Sequence, residues 1–218
     1  ILKRTVLAPP TLTPLKPKTL FFFSTQSPPS DLISTVVTLL IHHRSRTRWS
    51  QLRSLLASSS RQLTPPQFSQ IALQLKQKPH LALRLFQFTL SHPSLFAHDL
   101  SSLATLAHLL ARGRLRAHAC DVIKTALRCP DSFNYEDPVM GLFEVMVNSY
   151  RECDSAPFVF DLLIKTCLEV RKVDGSLEVV RKLRSRGISP QVGTCNCLVS
   201  WAVKCRGCCE GYRIFKEA

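Results

Sequence analysis

Glycine is scarce in this sequence, with seven in 218 residues, too few for the turn-rich connections of an all-β fold or for a phosphate-cradling loop. No P-loop, GxSxG elbow, HExxH pair or dinucleotide fingerprint occurs along it. The residues therefore point away from an enzyme. All seven histidines fall between 42 and 118, so the cysteine-rich end has none beside it, and His42-His43 reads as polar helix surface. No run approaches the roughly 18 uninterrupted apolar residues of a membrane-spanning helix; the apolar stretch 32–41 is too short. Acid is missing locally, because the first 30 residues contain no Asp or Glu.

That acid-free opening carries Lys3, Arg4, Lys16 and Lys18, several Ser and Thr, and repeated proline. This is the composition of an organelle transit peptide, and residues 1–30 are set apart from the fold. Pro9, Pro10, Pro14 and Pro17 interrupt the apolar core that a secretory signal would need. Phe21-Phe22-Phe23-Ser24-Thr25 is the expected neighbourhood of a processing site. The chain opens on Ile1 and stops at Ala218 inside an expected helix, which reads as the front piece of a longer protein.

What the sequence has in excess is positive charge. A net charge of +14 and a pI near 9.8 favour a polyanionic partner, and 45% hydrophobic residues suffice for a packed helical core. Arg44, Arg46, Arg48 and Arg53 form a basic cluster that fits a solvated helix face, part of an import signal, or a phosphate contact. Import and RNA binding both select for positive charge, so charge alone does not separate them.

It also has a repeat. Phe160-Asp161-Leu162-Leu163-Ile164 is followed 35 residues later by Cys195-Asn196-Cys197-Leu198-Val199, and Ser176-Leu177-Glu178-Val179-Val180 by Gly211-Tyr212-Arg213-Ile214-Phe215. Phe160, Leu163, Ile164 and Cys167 stand at the spacing of an amphipathic helix. Asp174 is the expected N-cap of a second helix that buries Leu177, Val180 and Leu183 and stops at Gly187 and Pro190. Each unit is thus a helical hairpin, and neither helix can bury its stripe alone. Upstream, Ala82-Leu83-Arg84-Leu85-Phe86 and Ala119-Cys120-Asp121-Val122-Ile123 read as second helices of degenerate hairpins. Their first helices carry Phe68, Ile71 and Leu75, then Leu103, Leu106 and Leu110. Between Ala119 and Ser176, residues 129–138 read as a loop, and Phe143, Met146, Val147 and Tyr150 predict one additional helix.

Three runs carry a family resemblance: Phe158-Val159-Phe160-Asp161-Leu162-Leu163-Ile164, Val173-Asp174-Gly175-Ser176-Leu177, and Leu183-Arg184-Ser185-Arg186-Gly187-Ile188-Ser189-Pro190. With the 35-residue period they resemble the plant pentatricopeptide repeat proteins of the simple repeat type. The roughly 34-residue tetratricopeptide repeat has a Trp, Leu-Gly and Tyr signature that is missing here. The resemblance implies an all-α, right-handed α-solenoid of stacked hairpins. Its divisions would be a transit peptide at 1–30, a divergent helical cap with degenerate repeats at 31–156, one repeat at 157–191 and a second at 192–218 cut by the end of the chain.

The resemblance also implies that the solenoid reads single-stranded RNA at about one base per repeat through two or three side chains of its groove. Carried onto this sequence, the base-reading positions are Asp161 with Gln191, and Asn196. Phe158 is the stacking position, matched by Gly193 in the next unit. Lys204 stands where a phosphate contact falls, and Glu169 holds that place one unit earlier. The amide of Asn196 can donate and accept, whereas an ionised Asp161 only accepts.

Cys195-x-Cys197 and Cys205-x2-Cys208-Cys209 have superficially metal-like spacing. Cys195 and Cys208, however, align with Phe160 and Val173 and are expected to fill buried apolar sites. No metal, cofactor, small-molecule substrate or membrane partner is expected. The function implied is a sequence-specific RNA-binding adaptor in organellar RNA processing, stability, splicing or translation. It would act in the mitochondrion or alternatively the chloroplast, with other RNA-processing factors or the ribosome as further partners. The alternative is a structural, protein-binding helical repeat, for example of the organellar ribosome.

Overall fold

The structure, a computed structural model, describes residues 30–42, 45–58, 63–129 and 135–217. The expectations for the leader, its processing site and Arg44 lie outside these residues. Among the described residues there are eleven α-helices and no strand. They are α1 (Ser30–His42), α2 (Ser45–Ser58), α3 (Pro65–Gln74), α4 (Pro79–Leu90), α5 (Leu100–Arg112), α6 (Arg116–Ala126), α7 (Pro138–Ser149), α8 (Phe158–Glu169), α9 (Val173–Ser185), α10 (Val192–Arg206) and α11 (Cys208–Glu217). No described helix is long and apolar enough to cross a membrane.

Each helix forms for local reasons and buries the stripe its sequence provides. Phe68 and Ile71 of α3, Leu103, Leu106 and Leu110 of α5, and Phe160, Leu163, Ile164 and Cys167 of α8 are all buried. Asp99 starts α5 by accepting the Ser102 N–H at 2.7 Å, and a Thr64–Gln67 capping box starts α3. Gly187, at φ +73°, ends α9 as expected. Its N–H reaches the Arg184 carbonyl and the Ile188 N–H the Leu183 carbonyl, both at 2.9 Å, a paired closure that the left-handed residue makes possible. One capping expectation is corrected. The N-cap of α9 is Lys172, not Asp174, which lies in the first turn. There its carboxylate faces the positive helix end and pairs with Arg206 of α10.

The helices stack in two layers. α1, α3, α5, α7 and α9 pack in succession to make one; α6, α8 and α10 make the other. Trp49 of α2 stacks on Phe88 of α4 at 5.4 Å, extending the second layer toward the N-terminus. This is a helical-repeat solenoid, with α5 almost wholly buried where both layers meet around it.

α5 and α6 pack on each other as expected of a hairpin, but the layering corrects the order of the two helices. α5 was expected as a first helix and α6 as a second, but α5 packs in line with α9, and α6 in line with α8. The helix expected as an addition, α7, continues the layer between α5 and α9. Helices of the second layer begin at Ser45, Pro79, Arg116, Phe158 and Val192, that is 34, 37, 42 and 34 residues apart. The expected loop at 129–138 lies partly outside the described residues.

Close approach of the layer helices depends on Gly175. A Cβ there would lie 2.8 Å from both Cβ and Cγ2 of fully buried Val139, and 3.1 Å from Oδ2 of Asp137. Helix propensity alone favours Gly→Ala by about 1 kcal/mol. Because α7 must move to admit the methyl group, Gly175→Ala is expected to reverse that sign and cost about 1–3 kcal/mol. The urea midpoint measures it, and a midpoint at or above that of the native chain would show that the contact yields freely.

Candidate nucleic-acid interface

Asp161 sits in the first turn of α8, where the stripe beginning at Phe160 directs it against the next helix. It is 5% exposed, and its Oδ1 accepts the backbone N–H of Gln191 at 2.9 Å. Gln191 is the N-cap of α10, in extended backbone at φ −64° and ψ 144°. A buried carboxylate thus satisfies one of the free donors at the helix start and favours its positive end. The two residues expected to act together are joined, through the main chain of Gln191. The exposed Gln191 side chain remains available to solvent.

Asn196 is exposed on the first turns of α10, beside an open cavity of about 220 Å³ bounded by Pro190, Val192, Cys195, Val199 and Phe215. Lys204 is exposed two turns farther along the same helix. Glu169 is held by Lys124 of α6 at 2.9 Å, a bond that also pushes the lysine pKa up. Phe158 is half-buried, and one face of its ring carries the Arg116 guanidinium 4.6 Å from the centroid. The residue expected to stack on a base is therefore partly covered by the chain itself.

Arg116, Lys124 and Arg128 belong to the same layer as Asp161 and Asn196, and sequence reasoning missed them. The signal was present: Ala119, Val122, Ile123 and Ala126 are all buried and repeat the spacing of Phe160, Leu163, Ile164 and Cys167. In the basic cluster farther upstream, Arg48 is half-buried on α2 and Arg53 exposed.

The cysteines divide by position. Burial pushes the thiols of Cys153 and Cys167 up to about 12, so neither offers a thiolate. Cys195 is half-buried, but Cys208 is exposed, which corrects its expected role as core filler. Among the described residues the α10–α11 hairpin packs chiefly through α10, on α8 and α9. Among the described residues no three His, Cys, Asp or Glu side chains are grouped to hold a metal ion.

A pentatricopeptide repeat-containing protein of Arabidopsis thaliana is 50% identical over 195 residues, 89% of this chain and 38% of that protein. The chain belongs to the pentatricopeptide repeat family. Two further pentatricopeptide repeat proteins of the same plant are named as mitochondrial. One is 22% identical over 191 residues, covering 87% of this chain and 28% of its own length; the other is 26% identical over 159 residues, covering 72% and 29%. The chain thus spans well under half the length of these relatives. No family model matches it. In a pentatricopeptide repeat array the paired helices α8/α9 and α10/α11 are successive hairpins, and α8 and α10 stand side by side.

Proposed function

We propose that this chain belongs to a sequence-specific, single-stranded RNA-binding adaptor of mitochondrial RNA processing that performs no chemistry on its target. Residues 157–191 and 192–218 are its first regular repeats, and 31–156 its divergent helical cap. The observation that carries this reading is Asn196, a solvent-exposed amide on α10 with Lys204 on the same helix and the exposed Gln191 side chain one turn before it. An amide both donates and accepts, as discrimination among base edges requires, and the lysine suits the backbone phosphate. The net charge of +14 supports a polyanionic partner. The mitochondrial names of several relatives support the compartment. Asp161 serves the site by fixing Gln191, so that Gln191 makes the contact of that unit.

Asn196→Ala in the complete protein is expected to weaken binding to the cognate RNA by about 1–3 kcal/mol and to relax preference at one base. The test is a titration against oligonucleotides varied at each position. Equal affinity with unchanged preference at every position would remove Asn196 from the interface. Ribosomal subunits co-purifying with the protein, in place of one sharp transcript footprint, would favour the structural role.

A further inference from the structure

α6 packs directly on α8, and α8 on α10. α4 and α6 stand apart, and a cavity of about 390 Å³ opens between their C-terminal halves, within the roughly 300–1,000 Å³ usual for ligand sites. We propose that this cleft is a nucleotide site, taking one base of a single strand and holding the adjoining phosphate at Arg128. The proposal rests on the RNA-binding reading above and extends it to a place outside the first turns of α8 and α10.

The chemistry of the cleft selects a flat, weakly polar body attached to one anion. Phe96 and Leu103 form a buried apolar floor, and Pro93 and Leu90 the mouth. Leu90 is 48% exposed, a large apolar side chain left in water where a ligand would cover it. Polar groups in the wall are already committed. His98 Nε2 bonds the Thr89 hydroxyl at 2.8 Å, and the Thr125 hydroxyl donates to the Asp121 carbonyl at 3.0 Å. Among the described residues no acidic side chain lines the cleft. Among the described lining residues the single formal charge is Arg128, exposed at the rim and in no ion pair with another described residue. Stacking on apolar and aromatic surface suits any base, so the site would hold a strand without reading it.

Position supports the same occupant. Arg128 follows Ala119 of the α6 stripe by the interval that separates Glu169 from Phe160 on α8, and Lys204 from Cys195 on α10. Glu169 is neutralised by Lys124 of α6. Arg128 thus holds, after the α6 stripe, the place that Lys204 holds on α10, beside the cleft.

The test uses the full chain and a random-sequence single-stranded RNA pool substituted with thiouridine, photocrosslinked and mapped by mass spectrometry. Adducts are expected on peptides spanning 89–103 and 125–129. Ala97→Trp, placed at an exposed wall position, should abolish them and weaken binding about tenfold. Arg128→Ala should weaken binding evenly across sequences and lower the salt slope by about one. Circular dichroism verifies the helix content of each variant, and if the tryptophan variant does not fold, Arg128→Ala decides. Adducts confined to α8 and α10, with both variants binding as the native chain does, would overturn the cleft and leave the RNA reading intact. Failure of the native chain to retain any RNA would overturn both.

Discussion

Acidification from pH 6.5 toward about 4 should destabilise the array steeply. Two buried histidines are responsible. His98 lies among Phe68, Phe86 and Phe96, with ring centroids 4.7, 4.9 and 4.5 Å away. His108 joins α5 to α7 and the segment after it, with Nε2 2.9 Å from the Met146 carbonyl and Nδ1 2.7 Å from the Ser155 hydroxyl. A carbonyl can only accept, so Nε2 carries the proton and Nδ1 accepts from Ser155. Burial lowers both histidines from 6.5 to about 4, against a smaller opposing pull from Asp99 on His98 and from the Met146 bond on His108.

The unfolded chain takes up a proton at each site near 6.5, whereas the folded chain resists until about 4. Stability is therefore complete above 6.5 and declines as pH falls to about 4, by at most about 3 kcal/mol per histidine. Against a total of about 5–15 kcal/mol, that is a large share. Asp174 is held below its ordinary value by Arg206, and its contribution fades only beneath this window. Urea midpoints measured across the interval should fall, and His108→Gln should flatten the slope. A midpoint that stays level from 6.5 to 4 would mean that neither ring is sealed from water.

Phe143→Ala is expected to cost about 3–5 kcal/mol, among the largest losses from a single side chain. Phe143 is fully buried on α7. Its ring lies 5.7 Å from that of Phe160 on α8, and the Arg186 guanidinium covers it at 5.1 Å while pairing with Glu144 at 3.2 Å. One ring thus ties α7, α8 and the end of α9 together. Phe143→Leu, which keeps most of the volume, should cost about 1.5 kcal/mol or less. Equal losses for the two variants would show that the aromatic contacts, rather than the filled space, carry the energy.

Helix positions and buried faces were legible because the period of an amphipathic helix is a local property. Phe68, Leu103, Val122 and Leu163 could be placed in the core without knowing what covers them. The layer to which each helix belongs was not legible upstream. A small-large-exposed-apolar-apolar run describes any helix packed on two sides, so Ala119-Cys120-Asp121-Val122-Ile123 fits either layer equally well. Only the packing of α6 on α8, and of α5 on α7, decides it.

The site was less legible than the fold. The pairing of position 161 with 191 rests on the family resemblance, not on anything the spacing alone supplies. The burial of Asp161 was not legible, since it depends on how closely α10 descends on α8. Cys208 was misplaced for a related reason: alignment with Val173 supplies a residue's place in the unit, but not the neighbour that would cover it.

The two-layer stacking imposes a rule of parity on this lineage. With the layers filled alternately, an inserted or deleted pair of helices leaves every downstream face where it was, whereas one helix gained or lost would turn all that follow inside out. Length should thus drift freely in the loops while helix number changes by twos.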